Sequence, residues 1–239
     1  MSLPMAKPRG GPVALATKRA FDLVVASAGL VVVLPVIAVL AVLTRLSVHA
    51  PAFYRQTRPG RHGAPFRLWK LRTMTEARDA SGALLPDEER LTRFGLWLRR
   101  WSFDELPQLI NVVTGDMSVV GPRPLLFRYV PRYSPRQRLR LLVRPGITGW
   151  AQVNGRNDSD WATRLEHDAW YVENWSLALD LRILLRTCGQ VVSGRGARPG
   201  AGADVEEFWG EMTPPAGAPR SIPVEENEGA LAPEPGMQQ

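Results

Sequence analysis

One stretch limits the architecture of this chain more than any other. From Phe21 to Leu43 the sequence is apolar, with Asp22 as its only charged residue. A helix crossing a bilayer takes about 20 such residues. Pro35 lies inside the stretch, where it removes an amide donor, clashes with the preceding turn and kinks a helix. Both flanks are basic, Lys18 and Arg19 before and Arg45 after, and lysine and arginine favour the cytoplasmic side of a membrane. A re-entrant helix that bends at Pro35 and returns to the same face satisfies both observations. A spanning helix, a cleaved signal peptide and a buried core helix are the alternatives. The length of the apolar region weakens the signal-peptide reading.

The remaining composition narrows the function. The chain of 239 residues has room for one domain with appendages. A single cysteine, Cys188, excludes an internal disulfide. The histidines His49, His62 and His167 are scattered, so no Cys/His zinc cluster is expected. The formal net charge of +7 is carried largely by arginine. Such a balance suits nucleic acid, an anionic membrane surface or a phosphate-rich substrate. No nucleic-acid-binding motif is present, so no nucleic-acid partner is expected.

Along the chain, residues 1–17 read as a flexible N-terminal arm and 18–47 as the membrane helix. Ala52–Thr57 and Phe66–Arg72 favour strands, and the breakers Arg58-Pro59-Gly60 and Gly63-Ala64-Pro65 between them predict a hairpin. Its second arm ends in Lys70-Leu71-Arg72, two cations placed to face an anion. From Glu88 to Trp101, Leu91, Phe94, Trp97, Leu98 and Trp101 recur at helical spacing, with Arg90, Arg93 and Arg100 largely elsewhere. This predicts one amphipathic basic helix, suited equally to a membrane interface or a protein core. Pro135–Arg144 reads as a second basic amphipathic segment, and Gln152–Asn157 as a polar loop holding Arg156. Helices are predicted over Asp160–Trp175 and Leu177–Val192. Val205–Gly210 forms a short island able to dock back. The extension 193–239 is expected to be disordered from about 213 for its proline and glutamate content. The fold class expected is α+β, mainly helical, with an N-terminal re-entrant membrane helix, amphipathic interfacial helices and a small β-hairpin.

The chemistry concentrates between Arg99 and Pro124. Asp104 and Glu105 follow the basic pair Arg99-Arg100, Asp116 follows an apolar segment, and Arg123 stands between Pro122 and Pro124. Ser102 is three residues before Glu105, a capping-box spacing that places both acids in the first turn of a helix running to about Val113. Alternatively Asp104 caps that helix and Pro107 falls in its first turn, where proline is tolerated. Both registers stay open, as does the plain reading that the acids only cap. An ionised aspartate can attack phosphorus and an ionised glutamate can hold Mg²⁺. An arginine fixed between prolines presents a rigid fork to phosphate oxygens.

These segments occur together in one known family. Lys18-Arg19-Ala20-Phe21-Asp22, Arg58-Pro59-Gly60, Lys70-Leu71-Arg72-Thr73-Met74, Asp104-Glu105-Leu106-Pro107-Gln108, Gly115-Asp116-Met117-Ser118, Val120-Gly121-Pro122-Arg123-Pro124 and Arg144 to Asn157 run in the order seen in the bacterial sugar transferases. The chain resembles their small monotopic phosphoglycosyl transferases, over about Lys18 to Thr187. The resemblance implies a catalytic domain over 48–192 at the cytoplasmic face of the bacterial inner membrane. It implies transfer of a phospho-sugar from a UDP-sugar to polyprenyl (undecaprenyl) phosphate with release of UMP. In that reading Asp104 is the nucleophile and Glu105 binds Mg²⁺. Lys70, Arg99 and Arg123 contact the substrate, and Arg156 serves its nucleotide end. Membrane lipids and downstream glycosyltransferases are the further partners expected, the latter through the tail. Leu34 stands where the family has a serine before the helix-breaking proline.

Overall fold

A computed structural model of the chain describes residues 11–155, 160–192 and 207–210. The first ten residues, Arg156 and the tail from 211 lie outside them.

Helix α1, Pro12–Val48, opens with proline in its first turn and ends at His49 in the left-handed conformation. It runs through Pro35 as one element and takes in residues 12–17 of the expected arm. Its length and composition suffice to cross a membrane. Yet both of its halves pack on the same body. In the first half, buried Asp22 accepts hydrogen bonds from Ser118 Oγ at 2.9 Å and Val119 N at 3.1 Å. Lys18 Nζ donates to Val120 O at 3.1 Å and to Asp180 Oδ2 at 2.7 Å. In the second half, Leu40 packs with Leu71 and Leu98, and Ser47 Oγ lies 3.0 Å from Thr92 Oγ1. Between these anchors Val31, Val32, Leu34 and Val36 are exposed.

The expected hairpin is present. β1, Phe53–Pro59, pairs antiparallel with β2, Pro65–Leu71, in the register Tyr54↔Lys70, Gln56↔Leu68 and Arg58↔Phe66.

The single helix expected over Glu88–Trp101 is two. α2, Asp87–Arg90, stops where Leu91 bridges to Met74, and Thr92 then caps α3, Arg93–Arg100, by accepting from Gly95 N at 2.9 Å. Gly95 crosses the chain so closely that an added Cβ would lie 2.0 Å from Thr73 O.

The acid pair does not lie inside a helix. Ser102 has φ 56° and caps nothing; Asp104 and Glu105 form a 3-10 turn, Phe103–Glu105, and α4 spans Gln108–Thr114 behind Pro107. Proline has no amide hydrogen to satisfy, so the helix can begin directly after it. Both capping registers are thereby replaced by a turn that ends ahead of α4.

β3, Ser118–Val120, pairs parallel with β4, Gly146–Thr148, a sheet that the sequence did not announce. Here backbone meets backbone: Gly121 N donates to Thr148 O and Gly146 N to Pro122 O, each at 2.9 Å. A Cβ on Gly146 would stand 2.1 Å from Gly121 N. Pro135–Arg144 is also corrected. It holds a 3-10 segment, Gln137–Leu142, with Arg138 and Arg140 buried instead of facing outward.

Three more α-helices follow: α5 Trp150–Asn154, α6 Trp161–Asn174 and α7 Leu177–Val192. Val112, Met117, Val120, Val172 and Ile183 form the centre of the core, joining α4, β3, α6 and α7. Residues 207–210 return to a second cluster. Phe208 packs with Tyr129, Tyr133 and Leu165, while Glu207 pairs with Arg128 and Arg132 at 3.1 and 2.7 Å.

Candidate active site

Three elements converge on the turn that bears the acids. Asp104 and Glu105 are 3% and 7% exposed, so their charges need partners. Lys70, near the end of β2, places Nζ 3.2 Å from Glu105 Oε1 and 3.9 Å from Asp104 Oδ2. Arg123 holds Glu105 with its fork, Nη2 to Oε1 at 2.6 Å and Nη1 to Oε2 at 3.2 Å. Two-point pairing of this kind fixes direction as well as charge.

The supports of these groups are themselves specific. Asn111 on α4 grips β2 through its amide: Oδ1 accepts from Trp69 N at 3.0 Å and Nδ2 donates to Arg67 O at 2.8 Å. This brings the end of β2, and Lys70 with it, against the acid turn. Behind Arg123, buried Arg140 donates to the Arg123 carbonyl, to Asp168 Oδ2 at 3.1 Å and to Tyr133 Oη at 2.7 Å. The loop carrying Arg123 is thus held from its backbone side while the β3–β4 glycines hold its start.

Of the residues singled out in the sequence, Lys70, Asp104, Glu105 and Arg123 come together. Arg99 lies on α3 and donates from Nε to Thr73 Oγ1 at 3.0 Å. Arg156 falls outside the described residues. Asp116 closes the turn after α4, accepting from Thr114 Oγ1 at 2.9 Å and Asn111 Nδ2 at 3.3 Å. Asn111, Arg140 and Asp180 were missed. Their signal was a polar residue set in an apolar run, which demands a buried partner.

Among the described residues no three His, Cys, Asp or Glu side chains group to cage a metal. The donor set nevertheless fits a hard ion such as Mg²⁺. That ion takes one or two carboxylates and completes its shell with water and phosphate oxygens. Glu105 with neighbouring Asp104 offers such carboxylates, and binding there would exchange the present contacts of Glu105 with Lys70 and Arg123.

Comparison with known proteins shows the family of the chain. The signature of the family described as Bacterial sugar transferase matches residues 13–194. The Bacillus subtilis (strain 168) protein named Uncharacterized sugar transferase EpsL is 50% identical over 193 residues, covering 81% of this chain and 96% of its own length. The Exopolysaccharide production protein ExoY of Rhizobium meliloti (strain 1021) is 37% identical, covering 78% of this chain and 90% of its own. The Escherichia coli (strain K12) UDP-glucose:undecaprenyl-phosphate glucose-1-phosphate transferase is 42% identical over 71% of this chain, a match spanning 39% of that longer protein. The chain belongs to the bacterial sugar transferase family.

Proposed function

We propose that this protein transfers a sugar phosphate from a UDP-sugar to polyprenyl (undecaprenyl) phosphate and releases UMP. The observation that carries the reading is the carboxylate pair on one turn, with Lys70 across both acids and the Arg123 fork on Glu105. Relatives named UDP-glucose:undecaprenyl-phosphate glucose-1-phosphate transferase and Undecaprenyl-phosphate galactose phosphotransferase support the reaction class.

In this mechanism a carboxylate oxygen of Asp104 attacks the sugar-bearing β-phosphorus. The bond from that phosphorus to the bridging oxygen breaks, and UMP leaves with the electron pair. A phosphate oxygen of the polyprenyl phosphate then attacks the aspartyl phospho-sugar, which frees Asp104 and yields the polyprenyl diphosphate sugar. Lys70 and Arg123 stabilise the charge that gathers on the phosphoryl oxygens. Arg99, and Arg156 by its place in the family pattern, are assigned to substrate phosphate and nucleotide. Glu105 is assigned to Mg²⁺, which when bound neutralises diphosphate charge.

The same proposal sets α1 as a re-entrant helix in the cytoplasmic leaflet of the bacterial inner membrane. Its support is that both halves of α1 pack on one body, with the exposed valines and Leu34 between them. Anchoring of both halves to one body favours a helix whose two ends stay on one side of a bilayer. The tail after residue 212 is assigned to contact with a downstream glycosyltransferase. If its deletion leaves such a complex unchanged, that assignment falls.

The test is UMP release by purified protein with undecaprenyl phosphate and Mg²⁺ over a panel of UDP-sugars, beside Asp104→Asn and Glu105→Gln. Release by the wild type alone, with a phospho-sugar adduct trapped on Asp104, is the expected result. Full release by Asp104→Asn would refute the nucleophile.

A further inference from the structure

The returning segment, residues 207–210, is seated by more than packing. Glu207 is buried, and its carboxylate accepts from Arg132 Nη1 at 2.7 Å, Arg128 Nη2 at 3.1 Å and Tyr129 Oη at 3.2 Å. A buried carboxylate is tolerated with such partners and costly without them. Phe208 is buried too, its ring centre 5.5, 5.6 and 5.8 Å from those of Trp161, Tyr129 and Tyr133. Its carbonyl accepts from Arg132 Nη1, and the Arg132 guanidinium lies 4.2 Å from the centre of the Trp209 ring. Gly210 then turns with φ 63°, so close to the chain beneath it that a Cβ would stand 2.4 Å from Arg132 O. Charge, aromatic packing and backbone fit all tie this strap to the stretch from Arg128 to Tyr133.

That stretch continues the loop that carries Arg123. From Pro122 to Leu126 the chain forms neither helix nor strand, and Pro122 and Pro124 have no amide hydrogen to give. The loop therefore takes its direction from what holds its two ends. At its start, Gly121 N and the Pro122 carbonyl bond to β4. At its far end, Leu125 and Leu126 pack on the cluster that Phe208 completes with Tyr129, Tyr133, Leu141 and Leu165. A polar link runs alongside. Tyr133, one of the rings against Phe208, accepts from Arg140 Nη1 at 2.7 Å, and Arg140 Nη2 donates to the Arg123 carbonyl. Arg123 in turn places its fork on Glu105.

We infer that the strap Glu207–Gly210 is a positioning element for the reaction: docked, it holds the far end of the Arg123 loop and so the direction of the Arg123 fork toward Glu105. Phe208 acts through Tyr133 and Arg140 and through the packing of Leu125 and Leu126. Glu207 and Gly210 act by keeping Phe208 in place. The effect on rate rests on the transferase reading, whereas the effect on the loop rests on the geometry alone.

The experiment uses the full-length protein with two changes. Phe208→Ala opens the cluster. Gly210→Ala adds one methyl group against Arg132 O at a left-handed position and leaves every charge and ring in place. Hydrogen exchange over residues 123–133 and over the hairpin, 53–71, is read by mass spectrometry at a temperature where both variants are folded. UMP release is measured for each change alone and combined with Arg123→Lys. The expected result is exchange about 10-fold faster over 123–133 with the hairpin unchanged. With it, kcat falls about 10-fold while KM for the UDP-sugar holds. Where Arg123→Lys has already removed the fork, neither change lowers kcat further. Unchanged exchange over 123–133 overturns the inference, as does faster exchange with kcat untouched. A strap that only adds stability would quicken exchange in the hairpin equally and multiply its loss with that of Arg123→Lys, and either outcome also overturns it. Wild-type protein that releases no UMP from any donor would count against the transferase reading, and the exchange comparison would still decide whether the strap orders the loop.

Discussion

Lys18 and Asp180 are 162 residues apart in sequence, and their charged atoms lie 2.7 Å apart in the fold. Asp180 is fully buried and also accepts from Tyr171 Oη at 2.8 Å and Trp175 Nε1 at 3.1 Å. The pair joins the first helix of the described chain to the last. Asp180→Ala leaves Lys18, Tyr171 and Trp175 without their shared acceptor and should cost about 3–5 kcal/mol. Lys18→Met leaves Asp180 two of its donors and should cost less. Thermal unfolding of both single variants and the double variant reads the coupling, which is expected to be non-additive.

Arg123→Lys keeps a positive charge near Glu105 and loses the fork. A point charge cannot hold both carboxylate oxygens in one plane. The expected result is a fall in kcat/KM for UMP release of about 10- to 100-fold, with little change in melting temperature. A variant as fast as wild type would show that two-point pairing has no part in the reaction.

Asn111→Ala tests positioning at a distance. Asn111 touches neither acid, yet it fixes the stretch of β2 leading to Lys70 through Trp69 N and Arg67 O. Leaving these groups unsatisfied should cost about 3 kcal/mol. A small displacement of Lys70 should lower the rate about a hundred-fold. Melting temperature and turnover, measured at a temperature where the variant is folded, separate the two effects.

Asp160 gives a pH dependence. It caps α6 by accepting from Thr163 N at 2.8 Å, and hydrogen bonding from Thr163 holds its carboxyl below the usual value. The folded state thus prefers the ionised form. Its contribution is present above the unfolded carboxylate's pKa and is lost as pH falls through the lower folded value, below about 4. Asp160→Asn caps without titrating. The wild type's advantage in melting temperature over Asp160→Asn should shrink as pH falls from 6 to below 4, while other acids cancel in the difference.

The sequence made some of this legible for reasons that are local. The proline and glycine breakers after Thr57 dictate a hairpin, and that hairpin is what carries Lys70 to Glu105. The helices over α6 and α7 follow from their apolar spacing. The acid turn was not legible, because its form depends on Ser102 adopting a left-handed backbone, which the sequence permits without requiring. The Glu88–Trp101 periodicity hid a break because Leu91 is recruited by Met74, a partner distant in sequence. Arg138 and Arg140 looked like a solvent face, and only their partners Tyr133 and Asp168 explain their burial. Parallel pairing of β3 and β4 depends on glycines that read as turn residues until their carbonyl and amide neighbours are known.

The anchoring of α1 also sets an order of events. At usual synthesis speeds Asp180 emerges roughly 8–30 s after Lys18. For the first part of that interval Asp22 also waits for Ser118 and Val119. The apolar segment must therefore find its surroundings while its polar tethers do not yet exist. The body is then assembled onto a helix already in place, and its closing contacts secure that helix last. Newly made chains arrested before residue 92 would hold α1 by its apolar surface alone.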